Sequence, residues 1–181
     1  LCRRAAELVA ELRTTAPGMS IGVLTRRNVT VARLMLELRS LGIEASEEGG
    51  NPLTDSAAVT AVLALLRLAD HPGDRVARYH VAQTPLGGVV GYTDFEDAAA
   101  ARRLAVRTRR RLLEHGYGAT LSQIAAELSD ACGARDRRRL GQLAELGYRY
   151  DPHATLRATD FIPVVEAERV RDSVTADVRV M

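Results

Sequence analysis

The sequence contains no lysine: all 25 of its basic residues are arginine. A glycine-rich phosphate-binding loop ends in Lys followed by Ser or Thr, so this chain cannot supply one. If it handles ATP, it supplies only part of the site. Tryptophan is absent and aromatics make up 4% of the residues, while 46% are apolar. The core therefore has to be built from Leu, Val and Ala, a composition that favours helices. The two cysteines, Cys2 and Cys132, show no pairing pattern, which fits a reduced, cytoplasmic protein rather than a disulfide-stapled one. The His residues are scattered without metal-ligand spacing, so no metal site is expected within the chain. No apolar run is long enough to span a membrane and no signal peptide is visible.

What is present is organised around residues 21–50. Ser20 to Thr25 is a short apolar run between turn residues and reads as a buried parallel strand. Asn28 is placed to cap the helix that follows, whose stripe is Val31, Leu34, Met35, Leu38 and Leu41. Gly42 ends that helix and Ile43 to Ala45 reads as a second strand. A helix over residues 1–13, with Leu1, Ala5, Leu8, Val9 and Leu12 on one face, precedes this βαβ arrangement. After the turn at Gly49–Pro52, Thr54, Asp55 or Ser56 can cap a helix over 56–69 that is apolar almost all round, and a further helix covers 74–83.

At Pro85 the character changes. PLGGVVGY reads as a loop and a subdomain boundary. Helices follow: one from Phe95 to His115, one opened by a Thr120–Gln123 capping box and ending at Gly133, one to Tyr150, and a last one over 160–170. Val178, Val180 and Met181 alternate with Asp177 and Arg179, as a strand does. A strand returning to a sheet left so far upstream points to a helical module inserted into an α/β domain. The chain opens within a helix pattern, without Met, and stops on this strand, so it reads as a piece of a longer protein.

LTRRN at 24–28 resembles motif IV of the UvrD/RecB-like superfamily 1 helicases: an apolar strand, Arg-x-Asn, then a helix. EEGGNPLTDSAAVTAVLALLRLADHPGD at 47–74 is similar to the segment that follows there, and DVRVM at 177–181 to the strand leading into motif V. The resemblance implies a mostly helical α/β protein: a partial parallel-sheet RecA-like motor domain (2A), residues 1–84, an all-helical 2B-like insertion, residues 85–172, and a returning 2A strand, residues 173–181. It implies a part of an ATP-dependent helicase, acting in DNA repair or recombination, that moves along single-stranded DNA and unwinds duplex. The partners would be DNA, the first motor domain of the same chain and a nuclease subunit or domain. ATP and Mg²⁺ would be cofactors of the intact enzyme, with the metal held by the first motor domain. Lacking the phosphate-binding loop and motifs V and VI, this chain alone is expected to be inactive, and its sheet to have an exposed edge.

Carried over by position, the resemblance makes Arg26 the arginine finger that reaches the γ-phosphate, with Thr25 and Asn28 beside ATP. Family members often have Tyr where Thr25 stands, so base stacking from this position is not expected. Gly49 and Gly50 read equally as a plain turn or as the turn bringing Asp55 and Ser56 to single-stranded DNA. In the arginine run 102–111, Arg103, Arg107, Arg110 and Arg111 lie near one another on a helix. They can neutralise duplex phosphates, or form a solvated face balanced by Glu96, Asp97 and Glu114. The rival reading is a non-enzymatic helical adaptor that binds nucleic acid or protein. A nuclease would need an acidic cluster with Lys, which the sequence does not offer.

Overall fold

The computed structural model of the chain describes residues 1–47, 51–170 and 178–180, and the Gly49–Gly50 turn lies outside them. The elements are α1 (Cys2–Thr15), β1 (Ile21–Val23), α2 (Asn28–Ser40), β2 (Ala45–Glu47), β3 (Asn51–Pro52), α3 (Ala57–Asp70), α4 (Arg75–Ala82), α5 (Pro85–Val90), α6 (Ala98–Leu128), α7 (Ala134–Tyr150), α8 (Phe161–Ala167), β4 (Arg169–Val170) and β5 (Val178–Val180). The protein is mostly helical, and among the described residues no helix is long and apolar enough to cross a membrane.

The chain forms two compact units, residues 1–51 with 169–181, and residues 52–168. The division therefore falls at 51/52 and 168/169, not at 84/85 and 172/173. Residues 52–84 belong with the later helices because α3 is apolar on nearly every side and needs helices around it: Val59, Val62, Leu63, Leu65, Leu66 and Leu68 are all buried. β3 and β4 pair as a two-stranded sheet.

The first unit holds a three-stranded sheet in the order β1-β5-β2. Both pairings are parallel, with Ile21 and Ala45 opposite Val178, and Val23 and Glu47 opposite Val180. The late strand β5 thus occupies the centre of a sheet whose edges come from the start of the chain. Ala6 and Val9 of α1, Val31, Leu34 and Leu38 of α2, Ile43, Val178 and Val180 form one buried cluster, against which Ile21 and Val23 pack. The α2 stripe is as the spacing predicts, except that Leu41 is exposed. In α1 the buried side carries Ala6 and Val9, while Leu1, Leu8 and Leu12 face outward. Small residues let that helix lie close to its neighbours.

All seven aromatic residues lie in the second unit. Tyr117, Tyr150 and Phe161 form a cluster with ring centroids 4.8–5.1 Å apart. PLGGVV is a short helix, α5, not a loop. Gly87 is buried, and a Cβ there would meet three carbonyl oxygens at 2.7–2.8 Å. Residues 98–128 do not form one straight helix. Gly116 has φ +82° and ψ 171°, and the chain turns sharply. Thr120 Oγ1 donates to Arg111 O at 3.3 Å, although nine residues of straight helix would span ~13 Å. The Thr120–Gln123 capping box does not form. The second half of α6 is capped instead by Asp151, whose carboxylate accepts from Tyr117 N at 2.6 Å and Gly118 N at 3.1 Å.

Candidate nucleotide and nucleic-acid surfaces

In the first unit, Arg26 and Arg27 follow β1 directly, so they stand at the carboxyl edge of a parallel sheet, where open α/β folds hold their ligands. Both are exposed, and Arg26 makes no hydrogen bond or ion pair with any described residue. The flanking Leu24 and Val29 are 82% and 81% exposed. Among the described residues no carboxylate pairs with the Arg26 guanidinium. Thr25 Oγ1 turns back to Arg27 O at 3.4 Å. The N-cap position belongs to Arg27, in extended backbone and with no side-chain cap bond, and Asn28 is the first helical residue. The expectation of Asn28 as cap is corrected to that extent.

In the second unit, Ser56 is buried and Asp55 half-buried, and both are held by α7. Arg139, fully buried, donates from Nε to Asp55 Oδ1 at 3.0 Å and from Nη2 to Oδ2 at 3.1 Å. Arg135 adds a bond to Oδ2 at 2.6 Å, and Gln142 accepts from Arg139 Nη1. Burial pushes the Asp55 carboxyl up, but the hydrogen bonds from Arg139 and Arg135 more than offset it and hold it below the usual range. Ser56, 2% exposed, caps α3 by accepting from Val59 N and donates to Asp136 Oδ1 at 2.6 Å. These contacts tie the start of α3 to α7. Ser56 is buried, and Asp55 keeps a partly exposed carboxylate whose two oxygens are both held by arginines. The sequence carried one signal for Arg139: it falls on the apolar stripe of α7, one turn before Leu143.

The arginine run lies on the outward face of the first half of α6. Arg102, Arg103, Val106, Arg107 and Arg110 line one shallow exposed surface. Arg102 has no partner among the described residues. Arg103 approaches Asp97 only at 3.8 Å, Arg107 donates to Val90 O, and Arg110 pairs with Glu114 at 2.8 Å. Arg111, expected on the same stripe, instead turns to Gln123 Oε1 at 2.5 Å, while Arg102, not expected, joins it. Glu96 is taken by Arg75, so it does not balance the stripe.

Two further polar sites are internal. Asp70 accepts from Thr159 N at 2.9 Å and Thr159 Oγ1 at 2.7 Å; burial raises its carboxyl, these bonds lower it, and the balance is below the usual range. Arg78, buried, donates from Nε to the Tyr92 hydroxyl at 3.0 Å, which donates on to Phe95 O, fixing the loop before α6. Among the described residues no group of three His, Cys, Asp or Glu side chains could hold a metal ion. The sequence matches no protein-family model and no curated protein.

Proposed function

We propose that this chain is part of an ATP-dependent DNA helicase of the UvrD/RecB-like class. In this reading the first unit belongs to a RecA-like second motor domain, and the helical unit is its 2B-like insertion. One observation carries the reading: β5 lies parallel between β1 and β2, in a sheet whose carboxyl edge presents Arg26, unpaired among the described residues. An excursion of the chain through a helical unit, followed by return to the centre of the sheet, is the connectivity such a motor domain has.

The residues present fit one part of an ATP site. ATP supplies the phosphoryl-transfer chemistry when bound to the intact motor, and Mg²⁺ belongs with the first motor domain. Arg26 offers a planar cation that can bind phosphate oxygens bidentately. An arginine in that role contributes about 10³–10⁵ in rate. DNA would meet the stripe of Arg102, Arg103, Arg107 and Arg110, through phosphates rather than bases, since no aromatic residue interrupts it.

The test compares the DNA-stimulated ATPase of the full gene product with that of its Arg26→Ala variant at saturating ATP. A fall of about three orders of magnitude or more, with the circular dichroism unchanged, is the expected result. An unchanged rate removes Arg26 from the reaction. The second reading, a non-enzymatic nucleic-acid adaptor, would then stand on the α6 stripe alone.

A further inference from the structure

The sharp turn at Gly116 has a consequence beyond packing. It folds the second half of α6 back so that both halves, with α5, enclose a cleft of about 400 Å³ in the helical unit. Its floor is aliphatic: Leu65 of α3, Leu104 and Ile124 are all buried. Two hydroxyls interrupt that floor. Thr120 donates to Arg111 O, while the Thr108 hydroxyl, unpaired among the described residues, opens onto the cleft. That hydroxyl is a polar group that a ligand seated on the aliphatic floor would reach, and that an apolar ligand would bury.

The rim is basic. Arg107 and Arg111 stand one helical turn apart at its mouth. Glu127 is the one acid lining the cleft, and Gln123 Nε2 donates to it at 2.9 Å while Arg111 Nη2 donates to Gln123 Oε1. Arg107 belongs both to this rim and to the exposed arginine stripe, so the cleft opens directly onto that stripe.

We propose that this cleft takes a single nucleotide, with its base on the aliphatic floor and its phosphate at the Arg107–Arg111 rim. An inorganic anion would leave the apolar floor uncovered. An acyl chain would cover the floor but leave the Thr108 hydroxyl unpaired, which is costly in a buried place. A flat body with polar edges and an anionic group satisfies the floor, the hydroxyl and the rim together. The volume lies at the small end of ligand sites, which suits one nucleotide. The same chemistry is offered by a free mononucleotide and by an unstacked nucleotide of a single strand, whose neighbouring phosphates would follow Arg103 and Arg110. The proposal requires neither ATP turnover nor Arg26, so it stands or falls apart from the helicase reading.

The experiment uses the 181-residue chain and two probes: a single strand of about ten nucleotides containing one 2-aminopurine, and the free 2-aminopurine nucleotide. A change in 2-aminopurine emission reports removal of the base from its stacked or aqueous surroundings. Two variants test the cleft: Val89→Trp, which fills it, and Thr108→Val, which removes only the hydroxyl. Val89→Trp is expected to abolish the emission change, and Thr108→Val to weaken binding about three- to tenfold. Tighter, variant-sensitive binding of the strand assigns the site to nucleic acid. Variant-sensitive binding of the free nucleotide, with no gain from the strand, assigns it to a mononucleotide. If Thr108→Val melts like wild type and neither probe loses affinity, the proposal is overturned, and that result decides even where Val89→Trp does not fold.

Discussion

Asp151 reaches across the helical unit to accept a hydrogen bond from the backbone of Tyr117 at 2.6 Å, 34 residues earlier in the chain. Its other oxygen takes the N–H of Gly118, and Gly116 at φ +82° makes the turn that lets both amides point at it. Asp151→Ala should cost about 0.5–2 kcal/mol, as loss of a helix cap does. Gly116→Ala should cost more. Its φ and ψ lie in a region essentially restricted to glycine, and the new Cβ would sit 2.9 Å from the Asp151 oxygens, displacing the cap as well. Urea unfolding followed by tyrosine near-ultraviolet circular dichroism measures both, because every aromatic residue is in the helical unit. A larger loss for Asp151→Ala would refute the assignment of strain to Gly116.

The crossing of α6 and α7 makes a prediction that runs against simple contact distance. A Cβ on Gly118 would run into the Tyr148 ring, the closest such clash among these glycines, whereas one on Gly147 would meet Gly118 N at 3.0 Å and Leu121 Cδ1 at 2.9 Å. Tyr148 is more than half exposed and can swing away; the backbone of Gly118 cannot. Gly→Ala also favours a helix by about 1 kcal/mol. Gly147→Ala should therefore destabilise, while Gly118→Ala stays within about 1 kcal/mol of wild type. The reverse order in urea midpoints would show that Tyr148 is held rather than free.

How much of this was legible in the sequence follows the range of the interactions. Val31, Leu34 and Leu38 declare the buried side of α2 because their spacing is itself the cause of their burial. The return of Val178 and Val180 to the sheet was legible for the same reason, through their alternation. The turn at Gly116 was not. Thr120 and Gln123 stand at capping-box spacing, but the cap comes from Asp151, which no local pattern connects to Tyr117. PLGGVV resembles a loop by composition and becomes a helix because the bare Cα of Gly87 lets carbonyls of neighbouring segments approach. Asp55 was legible as a special residue and not as the counter-charge of a buried arginine, since Arg139 lies 84 residues away.

That pair sets the pH response. The carboxyls of Asp55 and Asp70 are both held below their ordinary values in the folded protein. A group depressed in this way contributes stability above its unfolded pKa and loses it as pH falls through the folded one. The urea midpoint of the helical unit should be flat above about pH 5 and decline steadily below about pH 4. Asp55→Asn should remove part of that decline. It should also lower stability at neutral pH by about 1–3 kcal/mol, because the buried Arg139 loses the charged carboxylate to which its Nε and Nη2 donate. An Asp55→Asn variant with the wild-type acid profile would mean that the pair is not formed.

The arginine stripe predicts an uneven response to mutation. Binding through phosphates weakens with salt in proportion to the number of contacts, with about one unit of log–log slope lost per contact removed. Arg102 is unpaired among the described residues and Arg103 only loosely approached by Asp97, whereas Arg110 already shares its charge with Glu114 at 2.8 Å. Arg102→Ala and Arg103→Ala should each lower the slope for a duplex oligonucleotide by about one. Arg110→Ala should lower it less, and Glu114→Gln should raise affinity by freeing Arg110. Arg111 lines the cleft and not this stripe, so Arg111→Ala should leave the duplex slope nearly unchanged. Fluorescence anisotropy between about 50 and 200 mM salt measures all of these. Equal slopes for wild type and Arg103→Ala would show that this face of α6 is a solvated surface and not a nucleic-acid contact.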